Sequence, residues 1–282
     1  MYMQSIKFVT GIVFMLSAIT LYELSLAAPS NKDVNVRSVL ERVALKRVFF
    51  GHQSVGMNLL DGVKQLASTE GIPIRVVEVN TASEVTSSMI GHTFIAENGN
   101  PLKKIKSFEQ AMATHDAEPD IALMKFCFVD FTAKTDVKAL FSAYRSTIER
   151  LKAIHPDTTF VHVTVPLTTI QGGFKQNLKR LLGRPPYGTI ENIRREEYNA
   201  LLRQTYQGHE PIFDLAKIES TAPDGSVSTI EWEGKIAPAM TPSYTDDGGH
   251  LNAAGKLRAA RELISVLATI PDSPTFRKTA NK

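Results

Sequence analysis

The chain has 282 residues, 43% hydrophobic and 22% charged, and its 32 Lys and Arg against 29 Asp and Glu leave a formal net charge of +3. That length and apolar fraction suit one large folded domain, or at most two, and exclude a disordered or fibrous chain. So small a charge excess does not predict nucleic-acid binding, and no nucleic-acid partner is expected.

The chain opens with Lys7, an apolar run from Phe8 to Tyr22, and the small residues Ser25-Leu26-Ala27-Ala28 before Pro29. A basic flank, an apolar stretch and a small-residue cut site make an export signal, expected to be removed after Ala27 or Ala28. Glu23 and the short flanks argue against a retained membrane span. The loss of Lys7 and Glu23 leaves the net charge unchanged. The reading is therefore an export signal over 1–27, a folded domain over 28–270 and a loose tail over 271–282, in a periplasmic or extracellular protein. Cys127 is the only cysteine. No intrachain disulfide can form, and the fold rests on its core.

Residues 30–44 are polar and then weakly helical. Val48-Phe49-Phe50 is the first expected strand, broken at Gly51, and residues 55–67 place Val55, Leu59, Leu60, Val63 and Leu66 at helical spacing. Ile74 to Val79 is a second strand after the Gly71-Ile72-Pro73 break. Residues 81–104 show no period, are punctuated by Gly91, Gly99 and Pro101, and read as a long loop. Residues 106–114 read as helical and 120–128 as a third strand, with Cys127 as a buried, inert thiol. Residues 136–154 form a helix carrying Leu140, Tyr144, Ile148 and Leu151 on one face. Thr159 to Val165 is a fourth strand. A basic insertion from Gln171 to Gly188, with Lys175, Lys179, Arg180 and Arg184, reads as a solvated loop or short surface helix. A helix over 190–206, a fifth strand over 211–215, an irregular stretch over 220–245 with the sole Trp232, and a last helix over 252–270 complete the chain.

Five apolar runs alternating with four or five helices, with no hairpin signal between them, call for parallel strands joined by right-handed crossovers. The expected fold is an α/β three-layer sandwich around a five-stranded parallel sheet. Ligands of such sheets bind outside the carboxyl ends of the strands. The sequence carries no internal repeat, dinucleotide fingerprint or phosphate-binding loop.

Two stretches on that edge carry chemistry. In Gly51-His52-Gln53-Ser54 a strand stops at a glycine and turns into a helix, so the Ser54 hydroxyl stands beside unpaired helix N-terminal amides. The bland reading makes Ser54 an N-cap. The other makes it a nucleophile, which needs a histidine to take its proton and a carboxylate to hold that histidine. Asp247 and His250, three residues apart in a glycine-rich turn before the last helix, have the spacing to supply both.

The late block Asp247-Gly248-Gly249-His250-Leu251-Asn252-Ala253-Ala254-Gly255 resembles that of the SGNH, or GDSL-type, hydrolases. Gly51-His52-Gln53-Ser54 aligns by placement with that family's Gly-Asp-Ser, and Asn192 to Leu202, with Arg195, Tyr198 and Asn199, is similar to its penultimate helix. The resemblance implies a flavodoxin-like sandwich, a serine esterase acting on acyl esters such as acetylated glycans or lipids, and Ser54, His250 and Asp247 as its triad. It also implies oxyanion donors from the serine amide, a glycine after strand two and an asparagine after strand three. There the chain departs from the pattern, with Asn80-Thr81-Ala82-Ser83 after the second expected strand and Val129-Asp130 after the third. Asn80, the Gly91 amide, Lys125 and His52 are the substitute candidates.

Hydrolysis needs no metal or cofactor here, and no histidine has zinc-motif spacing. His52 either holds the nucleophile turn or bonds backbone, His92 reads as a loop residue, and His162 as a core residue. His115, His155 and His209 fall at helix ends or turns. Three other readings stay open: a carbohydrate-binding module that has lost hydrolysis, an acyltransferase using the same site, and a metal site at His52, Asp247 and His250.

Overall fold

The strand that leads into Ser54 is one of the two central strands of a parallel sheet. The computed structural model describes residues 35–113, 118–170, 178 and 181–271. Its main sheet runs in the order β2 (Val76–Glu78), β3 (Met89–Phe94), β1 (Arg47–His52), β4 (Ile121–Met124), β5 (Thr159–Val163), β6 (Ile212–Phe213), with every pair parallel. From β1 the chain goes out to the edge strand β2 and back to β3 on one side, then crosses to β4 on the other. The carboxyl end of β1 is thus the switch point at which a ligand cleft opens in such sheets.

The inner strands β1, β4 and β5 are buried on both faces, which is why they read as apolar runs. Val48, Phe50, Ile121, Leu123, Val161 and Val163 pack against α1 (Val36–Val43), α2 (Val55–Glu70), α6 (Leu215–Ser220) and α7 (Ala253–Thr269). The alternate residues Phe49, Ala122, Met124 and Phe160 pack against α3 (Pro101–Met112), α4 (Val137–Ile154) and α5 (Thr189–Tyr206). Side-chain alternation along each strand thus gives two cores and three layers. On the first face α2 and α7 approach closely, for a Cβ at Gly62 would fall 2.5 Å from the Lys256 carbonyl oxygen and 2.7 Å from the Ala260 Cβ.

The three-layer expectation holds, with six strands in the main sheet where five were expected. The added strand, β3, lies in the stretch read as a loop. Met89-Ile90-Gly91-His92-Thr93-Phe94 hides its strand character behind a glycine and a histidine, yet four of the six residues are buried. Helix α3 begins at Pro101, earlier than expected, because Asn100 accepts the Lys103 amide as N-cap and proline fits the first turn. The stretch read as irregular holds an antiparallel hairpin, β7 (Thr229–Trp232) and β8 (Lys235–Pro238). Glu233 and Gly234 both have positive φ, 49° and 73°, as a two-residue hairpin turn requires.

The expected export signal over 1–27, His115, Lys175, Lys179, Arg180 and the tail beyond residue 271 lie outside the described residues. No helix among the described residues is long and apolar enough to cross a membrane.

Candidate active site

Ser54 occupies the N-cap position of α2, but its hydroxyl makes no capping bond. Instead Oγ lies 2.6 Å from Nε2 of His250, 196 residues further along the chain. His250 Nδ1 lies 2.6 Å from Asp247 Oδ2. An ionised carboxylate only accepts, so Nδ1 carries the hydrogen, and Nε2 presents its lone pair to the Ser54 hydroxyl.

The turn that carries Asp247 and His250 is held from four sides. Asp247 Oδ1 accepts the backbone amides of Gly249 (2.9 Å) and His250 (2.8 Å). Thr245 Oγ1 accepts the Gly248 amide at 2.9 Å, and the Gly248 carbonyl, on a residue with φ 90°, accepts the Thr169 amide at 2.9 Å. Asn58, one turn into α2, accepts the Leu251 amide at 3.1 Å and so ties the helix that Ser54 begins to the loop that carries His250. Asn252 caps α7 by accepting the Gly255 amide at 3.1 Å, and at Gly255 a Cβ would meet the Tyr244 carbonyl oxygen at 2.7 Å. Against the desolvation that raises it, the two amides and the His250 ring hold the Asp247 carboxyl well below the ordinary carboxylate range. Asp247 stays charged.

The Phe128 ring stands edge-on to His250 at 5.5 Å, and a Cβ on Gly249 would strike it at 2.7 Å. Behind it the Arg195 guanidinium donates to the Phe128 carbonyl (3.1 Å) and to Thr168 Oγ1 (2.9 Å). Burial lowers this guanidinium to about 10, so it remains a cation. Asn192 bonds both backbone groups of Thr168, and Asn199 both of Val165, so α5 supplies to the segment after β5 the partners that a further strand would have given.

The other sequence-derived candidates go elsewhere. Asn80 follows β2, the edge strand, two places from β1. Gly91 lies within β3, opposite Phe49 and Val77, where a Cβ would fall 2.6 Å from a Val85 methyl; it is a packing position. Lys125 is fully buried and donates to the Phe126 carbonyl at 2.8 Å, with burial bringing its ammonium down to about 8. His52 is buried beneath the Ser54 turn and bonded to His92, apart from Asp247 and His250, so the three do not form the metal site considered above. Among the described residues no group of three or more His, Cys, Asp or Glu is arranged to hold a metal ion. His92 is a buried strand residue and not the loop residue expected.

Sequence reasoning missed Asn58, Phe128, Thr169 and Gln53. Gln53 donates to the Ala96 carbonyl at 3.0 Å and draws the exit of β3 against the Ser54 turn. Ala96 there has φ 29° without being glycine. The side chains of His250 and Asp247 are 47% and 57% exposed, so the group lies open at the sheet edge. A hollow of ≈ 550 Å³ between the start of α4 and α5, lined by Val137, Arg194 and Leu201 among others, touches none of the three.

No family model and no curated protein matches the chain. Among solved structures it is similar to a GDSL-like lipase from Bacteroides thetaiotaomicron, at 12% identity over 83% of this chain and 96% of that one, with a TM-score of 0.44. It is similar to an acetyl xylan esterase at 15% identity over 78% and 98%, TM-score 0.44. The periplasmic domain of the lipopolysaccharide acetyltransferase of Salmonella ser. Paratyphi A gives 14% identity over 84% and 90%, TM-score 0.43. The likeness is one of fold.

Proposed function

We propose that the protein is an exported serine hydrolase that cleaves acyl esters of small molecules or glycans, with Ser54 as nucleophile, His250 as general base and Asp247 as the residue that orients it. One observation carries this reading: the continuous hydrogen-bonded chain from the Ser54 hydroxyl through His250 to the Asp247 carboxylate. A serine that served only as an N-cap would bond an amide of its own helix, and this one does not.

The steps follow from the atoms present. His250 Nε2 takes the hydroxyl proton as Oγ bonds to the ester carbonyl carbon, and Asp247 stabilises the resulting imidazolium. The tetrahedral oxyanion forms at the start of α2, where the Ser54 and Val55 amides have no hydrogen-bond partner among the described residues and the positive end of the helix dipole favours negative charge. His250 then returns its proton to the departing alcohol oxygen, leaving an acyl-serine. Water activated by the same imidazole releases the acid; another hydroxyl in that place would accept the acyl group, which is the transferase variant of one mechanism. The export reading rests on residues 1–27, with residues 28–270 as the secreted domain.

Ser54→Ala is expected to abolish turnover of a short-chain nitrophenyl ester and labelling by a fluorophosphonate, with the melting temperature preserved. Turnover retained by the variant removes Ser54 as nucleophile. A parent chain inert to both reagents that still binds polysaccharide returns the protein to the binding-module reading.

A further inference from the structure

Ser54 has φ 49° and ψ −107°. For a residue other than glycine such a backbone costs about 1–3 kcal/mol and persists only where its surroundings impose it. Two backbone bonds close the turn, from the Gly56 amide to the Gln53 carbonyl (3.0 Å) and from the Met57 amide to the Ser54 carbonyl (2.8 Å). They fix its shape but not its depth over the sheet.

Depth is set by what lies underneath. His52, the last residue of β1, is fully buried, with the rings of Phe50, His92 and Phe94 at 4.7, 5.1 and 5.3 Å. Gly56 rests on this imidazole so closely that a Cβ there would fall 2.3 Å from its Cγ and 2.4 Å from its Nδ1. Gly56 lies inside a helix and has no positive φ, so glycine is needed there for room and not for backbone freedom.

The ring's hydrogen bonding agrees with this contact. His52 Nε2 lies 3.2 Å from His92 Nδ1, and His52 Nδ1 has no partner among the described residues. A buried N–H without an acceptor is rarer than a bare lone pair. The hydrogen is therefore on Nε2, donated to His92, and Nδ1 keeps a bare lone pair in the ring plane, while Gly56 rests on the ring face. Burial first, then the charges of Lys125 and His92, lowers His52 to about 3, so the ring is neutral at neutral pH.

We propose that His52 and Gly56 form a spacing pair, in which the flat imidazole and the absent side chain above it set how deep the first turn of α2 lies and thereby aim the Ser54 hydroxyl at His250. His52 is then a positioning residue that acts through residues 53–56 and touches no substrate. The role rests on Ser54 being the nucleophile.

The test is size exchange. Gly56→Ala, His52→Ala and the double variant are compared with the parent for kcat and KM on a short-chain nitrophenyl ester, for the rate of fluorophosphonate labelling, and for melting temperature. Gly56→Ala drives a methyl into the ring and is expected to cut kcat and labelling about 100-fold, the loss typical of a 1 Å misplacement, with KM little changed. The double variant, with the ring removed, is expected to be at least about tenfold faster than Gly56→Ala. Two residues with only separate packing roles would instead add their losses. His52→Asn, which leaves the turn unsupported without a clash, is expected to lower kcat at least about tenfold and covers the case in which Gly56→Ala does not fold. A double variant no faster than Gly56→Ala, or His52→Asn with the parent's kcat, overturns the proposal while the parent is still labelled at Ser54. A parent that is never labelled there overturns the hydrolase reading, and the positioning role with it.

Discussion

Replacing Glu219 by glutamine is expected to raise stability, relative to the parent, by about 3 kcal/mol more at pH 7 than at pH 4. Glu219, on α6, is fully buried, with Oε2 accepting the Leu167 amide at 2.6 Å and Oε1 without a partner among the described residues. Burial, offset in part by that amide and by the charges of Lys125 and Arg195, pushes its carboxyl from 4.5 up to about 8. Between those two values the folded chain keeps a proton that the unfolded chain has released. The unfolded state therefore binds fewer protons, and stability falls as pH rises through the window by about 1.4 kcal/mol per unit. From 4.5 to 7 this amounts to about 3 kcal/mol, and below 4.5 the contribution of the carboxyl is fully present. Glutamine keeps the carbonyl that accepts the Leu167 amide and has no proton to lose, so its curve lacks this slope. Any cost of its extra N–H groups is independent of pH and drops out of the comparison. Urea unfolding of parent and variant at pH 4, 5.5, 7 and 8 reads the difference directly. A difference that stays flat over this range would refute the reasoning, because it would mean that Glu219 ionises in the fold as readily as in the unfolded chain, as a partner of Lys125 or Arg195.

Two further perturbations separate the chemistry of the site from its scaffold. Asp247→Asn removes the acceptor that fixes the His250 tautomer and is expected to lower kcat by a factor on the order of 10³–10⁴. The melting temperature should change little, because the pair is about half exposed and such pairs contribute little to stability; a kcat loss under tenfold would remove Asp247 from the mechanism. Lys104→Met strands the Asp130 carboxylate, which is as fully buried as its partner at 2.7 Å and also accepts the Gly99 and Cys127 amides. Breaking such a pair costs about 3–5 kcal/mol. An unchanged urea midpoint would show that the two amides suffice to hold the carboxylate.

The layered fold was legible because strands covered on both faces must be mostly apolar, as residues 48–50 of β1, the whole of β4 and most of β5 are. Strand β3 was not, and the reason is packing. At Gly91 a methyl of Val85 stands where a Cβ would come within 2.6 Å, and one of Val79 within 3.2 Å. The close cover that buries the strand thus excludes the β-branched residue that would have announced it. The hairpin escaped for a different reason. Its turn is Glu233-Gly234 in place of the Asn-Gly or Asp-Gly pair that marks such turns, so a left-handed glutamate had to be seen in coordinates.

The same missed strand explains which part of the site was unreadable. The approach of Ser54 to His250 needs only local rules at each end, a serine at a strand-to-helix turn and a histidine three residues after an aspartate before a capped helix. The donors around the serine are instead a relation between neighbouring strands, and one of them was sought after the second expected strand because the resemblance puts it there. In the sheet β2 is the edge, β3 flanks β1, and the exit that Gln53 draws towards Ser54 is Ile95-Ala96. The third expected strand is β4, which does flank β1, yet the Lys125 ammonium turns back to the Phe126 carbonyl and forms no ion pair among the described residues. A one-strand error therefore shifts every candidate that depends on strand order and leaves untouched those that depend on sequence neighbours, which is the division seen between Asn80 and Gly91 on one hand and Ser54, Asp247 and His250 on the other.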